Sequence, residues 1–145
     1  MRGHYPSTMN TTTDVVLILW NTDVIDVLSF VLLSRDLKSR GLEPSEGRER
    51  IEDLILSCSP SVVIFDLEPP YDRSAAIALD LLNRFRECSF VMTCADSNLA
   101  LRKAPWLSRY ALFQKPYEID EIANTVRSMV RRVQRKVATL AVGAS

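Results

Sequence analysis

Val62-Val63-Ile64-Phe65-Asp66-Leu67-Glu68-Pro69-Pro70, residues 62–70, is the stretch whose reading decides the fold. Four consecutive apolar residues, β-branched at the start, suit a strand buried on both faces; a half-exposed strand would alternate apolar and polar. One carboxylate, Asp66, ends the run, and Pro69-Pro70 forces a loop. Strands buried on both faces belong to parallel sheets covered by helices, so the flanking sequence should alternate helix and strand.

Upstream it does. Val15 to Trp20 is a second apolar run, and Asn21, Thr22 and Asp23 after it are helix-capping types. Val24, Val27, Leu28, Val31 and Leu32 then recur at steps of three and four, predicting a helix to about Lys38, with Gly41 as its stop. Ile25, Phe30 and Leu33 lie off that stripe, so the helix is apolar on more than one face. Residues 42–47 are the weakest region; a strand there would be confined to an edge by Pro44. Ile51, Leu54 and Ile55 predict a short helix over 48–57, closed by the turn Ser59-Pro60-Ser61.

Downstream, Ile77, Leu81, Leu82 and Phe85 predict a helix over 75–86, and Phe90-Val91-Met92 a strand ending at Thr93. Residues 97–103 predict a short helix stopped by Pro105, and 110–113 a strand ending before Lys115-Pro116. Ile119, Ile122, Ala123, Val126, Val130, Val133 and Val137 mark a final helix. Residues 1–13 and 139–145 are expected to be flexible ends around one domain at 14–138.

Composition narrows the function. The chain has 145 residues, 47% apolar and 25% charged, with 18 basic against 18 acidic side chains. Zero formal charge gives no bulk argument for nucleic acid or anionic membrane. No apolar run is long enough to span a bilayer, and the polar start lacks a secretory core, so a cytoplasmic location is expected. Three cysteines, Cys58, Cys88 and Cys94, without a C-x-x-C spacing, argue against a disulfide framework or structural zinc. The single histidine, His4, disfavours a Ser-His-Asp or Cys-His catalytic set.

In a parallel sheet the functional crevice lies beyond the carboxyl ends of the strands. The residues that end them are Asn21, Asp66, Thr93 and Lys115. A carboxylate can act as a nucleophile toward a phosphoryl group, while a lysine and a hydroxyl can hold the transferred oxygens.

The segments VVIFDLEPP, FVMTCA and LFQKPY, on successive strands and in this order, resemble the receiver domains of two-component signalling over roughly residues 14–137. The resemblance implies a flavodoxin-like, doubly wound five-stranded parallel sheet with five helices. It puts Asp66 at the phosphoacceptor position, Thr93 and Lys115 at the phosphoryl-contacting positions, and a bond to Pro116 that is often cis in that family. It also implies two acidic residues after the first strand, which hold a divalent cation; here those positions read Trp20 and Asn21. An indole cannot bind magnesium and Asn21 brings no charge, although Glu68 could lend an oxygen. Trp20 is expected to plug the vacated place. The aromatic switch position of the family falls on Leu112, with Tyr110 and Phe113 out of register.

The expectation is an atypical receiver domain, not an enzyme, with no output domain following it. It would act by protein contact through its fourth-helix, last-strand and last-helix face, largely independently of phosphorylation. No cofactor is expected beyond weak magnesium binding. The expected partners are a histidine kinase or another signalling protein, with a homodimer open. Neither nucleic acid nor membrane is expected: the basic residues Arg127, Arg131, Arg132, Arg135 and Lys136 read as a solvated helix face. Two alternatives stand beside this reading. One is a working phosphoacceptor in a phosphorelay, modified at Asp66. The other is a small flavodoxin-like enzyme or nucleotide binder, which the absence of a glycine-rich phosphate loop disfavours.

Overall fold

The computed structural model describes residues 12–144. Five strands, β1 (Val15–Ile18), β2 (Ser39–Leu42), β3 (Val62–Asp66), β4 (Ser89–Cys94) and β5 (Ala111–Gln114), alternate with five helices. These are α1 (Thr22–Leu33), α2 (Arg48–Cys58), α3 (Tyr71–Arg84), α4 (Ser97–Lys103) and α5 (Ile119–Ala144). The strands form one sheet in the order β2-β1-β3-β4-β5, every pair parallel. This is the flavodoxin-like, doubly wound arrangement expected, and its strand order reverses between β1 and β3.

The apolar runs explain the sheet. All four residues of β1 and all five of β3 are buried, so helices must cover both faces. On one face Val15, Leu17, Val62 and Ile64 pack with Leu28 and Leu32 of α1 and Ala123, Val126 and Val130 of α5. On the other, Val16, Ile18, Val63 and Phe65 pack with residues of α2, α3 and α4, including Ile55, Ala78, Leu81 and Ala100.

Several boundaries differ from the sequence reading, each for a local reason. Helix α1 stops at Leu33, short of Lys38, because the backbone turns at Ser34 and Asp36 adopts φ 62°. That frees residues 39–42 to pair with β1, so β2 precedes Pro44 and Gly41 is a strand residue, not a helix stop. A Cβ at Gly41 would lie 2.3 Å from Cγ2 of Ile25; glycine is what lets α1 rest on this edge. Helix α3 begins at Tyr71, four residues before the predicted Ala75, with Pro70 as its N-cap. The final helix continues to Ala144, so residues 139–144, expected as a tail, extend α5. Of the expected lead, residues 1–11, and with them His4, lie outside the described residues.

Candidate functional site

Parallel pairing brings the strand ends together. Asp66 of β3 is the direct register partner of Thr93 of β4, so their side chains leave the sheet side by side. Lys115 follows β5 by one residue, and its backbone N–H donates to the Cys94 carbonyl at 2.8 Å, fixing the loop against β4. The Thr93 hydroxyl donates to Oδ1 of Asp66 at 2.9 Å, and Lys115 Nζ donates to Oδ2 at 2.8 Å. The three residues read from the strand ends therefore meet at one carboxylate.

That carboxylate is 2% exposed, and a buried anion must be fully partnered. A third donor completes the set: the backbone N–H of Trp20 reaches Oδ2 at 3.3 Å. The sequence gives no sign of it, since main-chain donors carry no residue signature. Lys115 is 38% exposed, so the ion pair is buried at one end and wet at the other.

The remaining candidates lie around this cluster. Asn21 does not point its oxygen at Asp66. Its Oδ1 caps α1, accepting from the N–H groups of Asp23 at 2.8 Å and Val24 at 3.3 Å. Trp20 is 39% exposed and forms one wall of a cleft of about 380 Å³ with Pro44, Ile51, Glu68, Pro70 and Asp66. Trp20, expected from sequence to plug the vacated metal place, is here a partly exposed wall of the cleft that Asp66 also lines. Glu68 shares that cleft; its N–H donates to the hydroxyl of Ser74 at 3.1 Å, which ties the loop to α3. A second cleft, about 260 Å³, opens on the opposite side of Asp66 and is lined by Asn21, Lys115, Pro116 and Tyr117.

Tyr117 went unremarked in the sequence. Its hydroxyl is held above its ordinary titration range by burial, with the negative charge of Asp66 adding to it. Residues Pro69-Pro70 and Lys115-Pro116 are joined by cis peptide bonds. Gln114 Oε1 accepts from both the N–H and the hydroxyl of Ser97 at 2.8 Å, joining the end of β5 to the start of α4. Leu112 is half-buried and is the register partner of Met92, while Phe113 partners Thr93 and meets Tyr117 edge-on.

Among the described residues, no three His, Cys, Asp or Glu side chains group as a metal-binding set. No helix among them is long and apolar enough to cross a membrane.

Comparison with solved structures defines the class of fold. A two-component transcriptional regulator AraC from Clostridium phytofermentans superposes with a TM-score of 0.67 at 15% identity, over 88% of this chain and 98% of that one. The receiver domain of nitrogen regulatory protein C gives 0.67 at 18% identity, over 86% and 98%. A transiently phosphorylated switch of bacterial signal transduction gives 0.64 at 20% identity, over 85% and 98%. The fold is thus that of the response-regulator receiver domains. No family model matches the sequence, and no curated protein does.

Proposed function

We propose that this chain is a signalling receiver domain that works by protein contact, with its Asp66 cluster held in one arrangement largely without phosphorylation. The observation that carries the reading is the pairing of both Asp66 oxygens from within the chain. Three donors, Thr93, Lys115 and the Trp20 N–H, already engage its two oxygens, and the carboxylate itself is buried. In-line attack on a phosphoryl group needs a free carboxylate oxygen and charge neutralisation beside it.

The magnesium ion that the fold family implies does not fit the side chains present. Magnesium requires near-octahedral oxygen ligands at about 2.0–2.1 Å. After β1 the chain offers an indole and an amide oxygen already spent on the α1 cap. Among the described residues, Glu68 is the one further carboxylate lining the clefts that flank Asp66. The structure therefore supports no step through a bound metal. With covalent switching disfavoured, the state of the domain is set by the affinity of its partner for each conformation. A histidine kinase or another signalling protein is the proposed class of partner, and the α4-β5-α5 face the proposed contact. The Gln114–Ser97 tie holds α4 to β5 on that face.

The rival reading, a phosphoacceptor modified at Asp66, draws on the same convergence of carboxylate, hydroxyl and lysine. Incubation with acetyl phosphate and magnesium, followed by intact mass, separates the two. The proposal expects no gain of one phosphoryl group in wild type. A gain that disappears in Asp66→Asn would establish the rival.

A further inference from the structure

The opposite end of the sheet holds a separate groove. Ser89 and Ala111 begin β4 and β5, at the end remote from Asp66. A groove of about 580 Å³ opens there between the end of α3, the starts of those strands and α5. Three guanidinium groups line it: Arg86 after α3, Arg109 before β5, and Arg132 on α5. Among the described residues, no carboxylate lines it. Glu87 is close enough to act on the Cys88 thiol but is not among the lining residues.

Among the described residues, arginines without an ion pair occur elsewhere too, Arg40, Arg73 and Arg127 among them; Arg86, Arg109 and Arg132 differ in sharing one groove. Other arginines are paired: Arg35 meets Asp120, Arg48 meets Glu52 and Asp80, Arg50 meets Glu46, and Arg84 meets Glu52. The chain carries as many acids as bases, so carboxylates are not scarce. Among the described residues, Arg109 and Arg132 have no ion-pair or hydrogen-bond partner. Arg86 spends only its Nε, at 3.3 Å from the Asn83 carbonyl. Ser89, Tyr110 and Thr125 add hydroxyls along the same groove.

We infer that this groove binds a small polyphosphate anion, such as pyrophosphate or the phosphate chain of a nucleotide. Planar guanidinium forks match phosphate oxygens with paired, charge-assisted hydrogen bonds, and hydroxyls fill the remaining acceptor positions. Three cations gathered without a counter-charge favour a multiply charged ligand. The volume falls in the range of small-molecule sites, about 300–1,000 Å³. This site lies at the opposite end of β4 and β5 from the Asp66 cluster, and its occupancy does not depend on how Asp66 is used.

Calorimetric titration of the full chain with pyrophosphate and with ATP, at fixed ionic strength, tests the inference. Saturable one-to-one binding is expected. Arg109→Gln and Arg132→Gln should each weaken it at least tenfold, and Arg50→Gln, whose partner lies elsewhere, should leave it unchanged. Equal affinities for the two ligands identify the phosphate chain alone as the ligand; tighter ATP binding adds a contact to the nucleoside. Both results support the site. Circular dichroism confirms that each variant is folded, and ligand should raise the melting temperature of wild type but not of the double variant. The inference is overturned by any of four results: no saturable heat, undiminished binding in the double variant, equal competition by sulfate, or a single-stranded oligonucleotide that binds more tightly than ATP.

Discussion

At the scale of single residues, Thr93 matters as the donor that satisfies one oxygen of a buried carboxylate. Replacing it with valine keeps the shape and the strand but leaves Oδ1 of Asp66 without its 2.9 Å partner. A buried acceptor stripped of its donor costs about 1–3 kcal/mol, so Thr93→Val should lower the urea midpoint correspondingly with an unchanged slope. Cys88 makes a separate test in pH. Burial, with Glu87 adding to it, pushes its thiol from the ordinary 9.0 up to about 11. The unfolded chain therefore releases this proton first. The contribution to stability is complete below pH 9 and is lost as pH rises through about 11. Unfolding followed from pH 8 to 11.5 should show that decline, and Cys88→Ala should reduce its steepness. Cys94 and Tyr117, also pushed up by burial, retain part of it. Asp66, Thr93 and Lys115 were legible in the sequence because each closes an apolar run or a Lys-Pro turn. The Trp20 N–H and the capping duty of Asn21 were not, because backbone donors and local caps depend on geometry that residue type does not announce.

At the scale of elements, legibility follows burial. Strands β1, β3 and β4 stand out as apolar runs because both faces of each are covered. Strand β2 is an edge strand reading Ser39-Arg40-Gly41-Leu42, half-buried at its ends and exposed at its centre, so it carries no such signature. Its glycine is explained only by the helix lying over it. Gly41→Ala would drive a methyl into Ile25 and should destabilise the domain by about 1–3 kcal/mol, the usual cost of overpacking. Ile25→Ala in the same chain should recover part of that loss, and a double-mutant cycle measured by denaturant unfolding would read the coupling. The start of α3 was missed because Pro70 reads as a breaker, although a proline at a helix N-terminus costs no hydrogen bond. The end of α5 was misplaced for the opposite reason. Leu140 continues the spacing of Val133 and Val137, but Val137 and Leu140 are exposed, so the extension is not marked by burial.

At the scale of the whole molecule, five parallel strands make every strand-end residue a neighbour at one rim, and the order β2-β1-β3-β4-β5 opens the crevice beside Asp66. The same topology places the arginine groove at the far end of β4 and β5, so one small sheet presents two chemically distinct ends. On the proposed function, the Asp66 end is occupied from within and stays in one state. Amide NMR spectra recorded before and after adding beryllofluoride with magnesium test this most directly, because that pair builds a phosphoryl mimic on an accessible receiver aspartate. The resonances of Asp66, Thr93, Lys115 and α4 should remain where they are. A saturating shift of those resonances, spreading through α4 and β5 and lost in Asp66→Asn, would contradict it.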